Sequence, residues 1–153
     1  MDASELESYL RERIPLSRAM EVRVVEIGAE HLHVAAPLAP NINHRDTVFG
    51  GSAAAAAMLA AWGLLYVRLH REQRLARLVI QRCTMEFLQP IDAGFAALST
   101  LAAGEDWPRF LAGLERKGRA RIAVRVDLES RDRRVGEFTG EFVAVRLAPN
   151  AGA

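Results

Sequence analysis

Hydrophobic and polar residues change rhythm several times along this chain, and each rhythm predicts an element. Leu6, Tyr9 and Leu10 fall at i, i+3 and i+4 within residues 2–13, which predicts an N-terminal helix ended by Pro15. Met20, Val22 and Val24 then alternate with Glu21 and Arg23 up to Ile27, the pattern of a half-buried strand. After a turn at Gly28–Glu30, Leu32, Val34, Ala36 and Leu38 line one face of a second strand, and the two runs read as a hairpin. A polar loop from Pro40 to Phe49 leads to Gly50–Gly51, which opens a long alanine-rich helix reaching about Leu69. Arg68, His70 and Arg71 sit at the negative end of its dipole.

Strands follow at 77–88 and 95–102, joined by a turn at Pro90, Asp92 and Gly94. Asp106-Trp107-Pro108, then Phe110, Leu111 and Leu114, predicts one short helix closed by Gly118. From Arg119 to Leu128 the alternation is clear, with Ala120, Ile122, Val124, Val126 and Leu128 on one face. Arg131-Asp132-Arg133 turns the chain into an antiparallel partner at 135–147, with Phe138 and Phe142 on one face. The order is α-β-β-α-β-β-(α)-β-β. The economical solution is an α+β fold, one domain over residues 1–147, with an antiparallel sheet of about six strands wrapped around the long helix. Residues 148–153 read as a frayed tail.

The long helix raises the membrane question, because no residue from Val48 to Val67 is charged. Alanine gives little insertion free energy, however, and a helix apolar all round suits the centre of a compact protein. Small side chains let a sheet approach it closely. Charged residues at 2–13 leave no apolar core for a leader peptide, so the expected compartment is the cytoplasm, with no membrane partner.

Twenty basic against 19 acidic residues give a net charge of +1, which argues against a dedicated nucleic-acid binder. A single cysteine, Cys83, excludes an intramolecular disulfide and a cysteine-rich zinc module. It shares a face with Val79, Gln81, Met85 and Phe87 and is expected to be buried and inert. His31, His33, His44 and His70 form no metal-ligand pair, so no metal site is expected.

The run Asn43-His44-Arg45-Asp46-Thr47-Val48-Phe49-Gly50-Gly51-Ser52, followed by the alanine-rich helix, resembles the hotdog-fold thioesterase superfamily. Phe87-Leu88-Gln89-Pro90-Ile91-Asp92-Ala93-Gly94 looks like the strand and turn that follow the helix in many members. Asn41-Ile42-Asn43-His44, with Thr47, Phe49, Gly51-Ser52 and Trp62-Gly63-Leu64, is most similar to the YiiD C-terminal thioesterase-like branch. The resemblance covers about residues 15–147. It implies an acyl thioester ligand on coenzyme A or an acyl carrier protein. The carrier's phosphopantetheine would then be part of the substrate rather than a separate cofactor. It also implies a homodimer, or a tetramer, with sites at the subunit interface.

Thioester hydrolysis needs an activated water, a stabiliser for the oxyanion and room for the acyl chain. The first N–H groups of a long helix have no intrahelical acceptor and carry the positive dipole end. Glycine at 50 and 51 would let a carbonyl oxygen approach them, or would simply make a tight joint. Asn43 either holds water or the thioester carbonyl, or braces the loop as an Asx-turn. His44 is a candidate base or an exposed loop residue, and Asp46 a base or a helix cap. Asn41, Thr47, Phe49, Ser52 and Met58 are candidate substrate contacts. Ser52 has no nucleophile elbow around it and suits the helix start. Trp62, Leu65, Tyr66 and Leu69 form a stripe that belongs to the core or lines an acyl tunnel. Arg116 and Arg119, with Lys117 and Arg121, would meet the phosphates of coenzyme A or an acidic carrier, or would simply be solvated.

One departure stands out. Many hotdog thioesterases carry an acid on the central helix, one or two turns after the glycine. Here Met58 falls at that place, and no acid occurs between Asp46 and Glu72. Either the loop supplies the base (His44 or Asp46), or Asn43 alone holds the water, or a partner subunit contributes Glu86, or hydrolysis is not the function. A non-catalytic acyl-CoA binder or a dimerisation domain is the alternative reading, and a dehydratase would need an acid that the helix lacks.

Overall fold

The computed structural model describes residues 1–148. Its helices are α1 (Ala3–Arg13), α2 (Pro15–Ala19), α3 (Gly50–Arg71) and α4 (Trp107–Lys117). Its strands are β1 (Arg23–Ile27), β2 (His31–Ala36), β3 (Ala76–Phe87), β4 (Phe95–Leu101), β5 (Arg119–Ser130) and β6 (Arg133–Arg146). All six form one antiparallel sheet in the order β1-β2-β4-β5-β6-β3, curved around α3 as the resemblance implied. Residues 149–153 of the expected tail lie outside the described residues.

α3 is buried on most sides because its inner positions are small. Ala53, Ala56, Ala57, Ala60 and Ala61 are almost fully buried, which brings the helix axis close to Leu32, Val34, Val124, Phe138 and Phe142 from the sheet. Ser99 of β4 donates from Oγ to the carbonyls of Leu32 and Ala60 at 3.1 and 2.9 Å, tying strand to helix inside the core. By length and composition alone α3 is apolar enough to cross a membrane; here the sheet covers it.

Sequence and structure part company at the N-terminus. Pro15 does not only stop a helix; it takes the first position of α2, where a missing N–H costs nothing. β1 accordingly starts at Arg23 rather than Met20. The register of β1 and β2 shifts between Val24 and Glu26, and α1 covers the edge there. The Val24 N–H donates to Glu7 Oε2 at 2.9 Å, and Arg11 donates to the Val22 carbonyl at 3.3 Å while pairing with Glu7. An open sheet edge is a template for unwanted pairing. At β1 side chains of α1 occupy it; at β3, on the other side of the sheet, nothing among the described residues does.

β3 also corrects the expectation for Cys83. Its register shifts between Ile80 and Arg82, so inward positions change from even to odd numbers along the strand. Ile80 and Met85 are half-buried, whereas Cys83 is exposed because β3 is the edge strand.

Candidate active site

The loop before α3 is held from several sides. Ile42 and Val48 form an antiparallel bridge, Phe49 N–H donates to the Asn41 carbonyl at 2.7 Å, and Val48 N–H donates to the Ile91 carbonyl at 2.8 Å. Asn41 is buried. Its Nδ2 donates to the carbonyls of Met20 at 2.9 Å and Pro37 at 2.8 Å, and its Oδ1 has no partner among the described residues. The residue named for substrate contact therefore acts as an internal brace between the α2–β1 joint and the loop.

Asn43 organises the turn beyond the bridge. Its Oδ1 accepts from the N–H groups of Arg45 and Thr47 at 2.8 and 3.3 Å, and its Nδ2 donates to Thr47 Oγ1 at 3.1 Å. This is the Asx-turn geometry, with the carboxamide spent on the loop. Asp46 takes a left-handed backbone at φ 59°, and both Asp46 and His44 are exposed at the tip. Among the described residues no side chain caps α3, so Asp46 does not take the capping role. The Ile42–Val48 bridge separates this tip from the helix start.

At the helix start Phe49 is the cap residue, and Gly50, Gly51 and Ser52 are the first three helical positions. Their N–H groups have no intrahelical acceptor, and the first turn carries no acid. Two rings flank them. A Cβ added at Gly51 would lie 2.3 Å from the Phe49 ring, and one at Gly50 3.3 Å from Phe87 at the end of β3. Both rings are 59% exposed, so the donors sit in an apolar frame open to solvent. Met58 lies farther along α3 and is half-buried beside Ile14, Leu16, Trp62, Ile80 and Phe142, around a cavity of about 220 Å³. Sequence reasoning did not find that cavity, because it needs the α1–α2 joint and β3 on either side of the helix.

Arg116 and Arg119 are not in this site. Arg119 lies opposite Val145, which lies opposite Arg77, whereas Phe87 lies opposite Gly136 near the far end of the same strands. Ten strand residues separate those rows, about 33 Å. Arg77, Arg109, Arg116, Lys117, Arg119 and Arg121 make no ion pair among the described residues. Arg125 and Arg134, farther along β5 and β6, are by contrast neutralised by Asp127 and Glu137. The basic cluster is real, and it stands at the opposite end of the sheet from Gly50.

The family described as "Putative thioesterase (yiiD_Cterm)" matches residues 3–146. Among solved structures, a protein of unknown function from Chlorobaculum tepidum is 26% identical, with a TM-score of 0.87 over 95% of this chain and 94% of its own. A protein described as a putative thioesterase from Shewanella oneidensis is 24% identical, with a TM-score of 0.84 over 94% and 96%. A protein of unknown function described as a probable thioesterase, from Pseudomonas aeruginosa, is 18% identical, with a TM-score of 0.78 over 94% and 96%. No curated protein matches the sequence.

Proposed function

Because the chain belongs to the putative thioesterase family (yiiD_Cterm) and has the hotdog fold, we propose that it binds an acyl thioester of coenzyme A or an acyl carrier protein and hydrolyses it by direct attack of water. The observation that carries this reading is the uncapped start of α3, where Gly50 and Gly51 leave backbone donors accessible between two rings. The thioester carbonyl oxygen is received there. Water attacks the carbonyl carbon, the oxyanion is held by the helix N–H groups, and the C–S bond breaks to release the thiol. Donors of this kind contribute about 3–4 kcal/mol of transition-state stabilisation. Asn43 positions the turn; His44 or Asp46, beyond the Ile42–Val48 bridge, takes the proton from the attacking water through a second water and returns it to the departing sulfur. Attack by water in this way uses no metal or redox cofactor.

The site is completed by a second copy of the chain. β3 is a 12-residue open edge, while β1 is occupied by α1. Two β3 strands paired about a two-fold axis run antiparallel, so the partner's Arg77 end comes beside this chain's Phe87 and helix start. The basic cluster, two strand spacings or about 10 Å from the pairing edge, then serves the neighbour's site rather than its own. It would hold the phosphates or the acidic carrier of the thioester. A tetramer would add pairing through other faces. The protein would do this work in the cytoplasm.

Thiol release from a panel of acyl-CoAs, with Asn43→Ala and His44→Ala beside the unaltered protein, tests this reading. Release that collapses in Asn43→Ala supports a thioesterase centred on the loop. Release lost in His44→Ala and kept in Asp46→Asn identifies the histidine as the base, and the reverse pattern identifies the carboxylate. Acyl-CoA binding without thiol release from any substrate would instead support a non-catalytic binder, the reading favoured by the lack of any acid along α3.

A further inference from the structure

Between Ala55 and Tyr66 the only side chains of α3 that escape burial are Ala55, Met58, Trp62 and Tyr66. They recur every three or four residues, so they form one stripe, and Gly51 begins it. At 1.5 Å per residue the stripe runs about 22 Å from Gly51 to Tyr66. Every residue on it is uncharged, and the 220 Å³ cavity over its middle has no ionisable side chain in its lining. The stripe ends in stacked rings, the first of which, Trp62, lines the cavity. Trp62 lies 4.6 Å from Tyr66 at 16°, and Tyr9 of α1 lies 4.9 Å from Tyr66 at 20°.

We infer that this cavity takes the acyl group of the thioester and that the Trp62–Tyr66–Tyr9 stack sets the upper limit on its length; the inference rests on the carbonyl being held at Gly50 and Gly51. Continuity identifies the occupant: Gly51, Ala55 and Met58 share one face of α3, and Ala55 and Met58 line the cavity. Size narrows its class. A dry cavity of about 150 Å³ holds benzene. Scaling by volume, this one admits about nine carbons, a medium linear chain or one aryl ring on a short linker. Met58, where many relatives of the fold carry an acid, is here part of the acyl wall.

The test uses S-(2-oxoalkyl) thioethers of coenzyme A, which keep the carbonyl and cannot be hydrolysed, with acetonyl, 2-oxodecyl and 2-oxooctadecyl chains. The chain has two tryptophans, so Trp107→Phe leaves Trp62 as the sole reporter. The medium thioether is expected to shift Trp62 emission and to bind about tenfold more tightly than either of the others, measured by calorimetry. Trp62→Ala is expected to erase the penalty on the long chain. Ala55→Leu, at the mouth, is expected to weaken the medium chain about tenfold and leave the acetonyl compound unchanged. Affinities indifferent to chain length, or Trp62 emission that follows protein concentration and ignores the ligand, overturn the inference. The latter result would mark the cavity as filled by a second copy. Hydrolysis plays no part in these readouts. Size-selective binding without thiol release from acyl-CoA therefore sinks only the hydrolase reading. Thiol release with no chain-length selectivity sinks only this one.

Discussion

Gly51→Ala separates chemistry from stability at the start of α3. In an ordinary helix the change to alanine gains up to about 1 kcal/mol of propensity. Here the new Cβ would meet the Phe49 ring at 2.3 Å, so the ring must swing away. It can do so at low cost, because it is 59% exposed and not part of the core. The two effects offset one another, and the midpoint of urea denaturation should move by less than about 1 kcal/mol equivalent. Activity should behave differently. The added methyl and the displaced ring crowd the space through which a carbonyl oxygen reaches the helix N–H groups. Removing an oxyanion donor costs about a hundred- to a thousandfold in kcat. Steady-state thiol release, paired with urea denaturation of the same preparations, reads both numbers. Wild-type kcat/KM in a folded Gly51→Ala protein would refute the claim that close approach at this glycine matters.

The remaining predictions concern the frame around the site. Gly63→Ala drives a methyl to 2.6 Å from Leu32 Cδ2 in the core, so it should destabilise by about 1–2 kcal/mol in urea while sparing kcat of the folded fraction. Asn41→Ala leaves the buried Met20 carbonyl and the half-buried Pro37 carbonyl without their donor and should cost about 1–3 kcal/mol, measured the same way. Glu7→Ala opens the β1 edge at Val24; light scattering at raised temperature should show earlier aggregation, and unchanged scattering would speak against edge protection by α1. Burial, with help from Tyr9, raises the Tyr66 pKa above 10.0. The folded state therefore holds that proton more tightly than the unfolded chain. Stability is unaffected below the unfolded value and falls as pH rises past it, and Tyr66→Phe should flatten that alkaline fall.

Much of this architecture was legible because it rests on local rhythm. The alternation from Arg119 to Leu128 and the Asp106 and Gly118 signals around α4 translate directly into elements. Gly118 supplies the left-handed backbone at φ 69° that ends the helix. Other features depend on partners distant in sequence. Pro15 reads as a stop until α2 is seen to start on it. The register shift after Ile80 reverses which side of β3 faces in, and no residue type there announces it. Whether Arg119 lies near Gly50 depends on strand order, which periodicity does not encode. Asn43 sits between the two levels: its type suggested both a reactant contact and a brace, and the hydrogen bonds to Arg45 and Thr47 assign the carboxamide to the loop.

The central claim is that a thioester carbonyl is received by the first N–H groups of α3. Amide nuclear magnetic resonance during titration with the acetonyl thioether of coenzyme A tests it most directly. The account predicts that the Gly50 and Gly51 amide protons move downfield together as the ligand saturates, ahead of any change in the core. Saturation that leaves those two amides in place while others shift would contradict it.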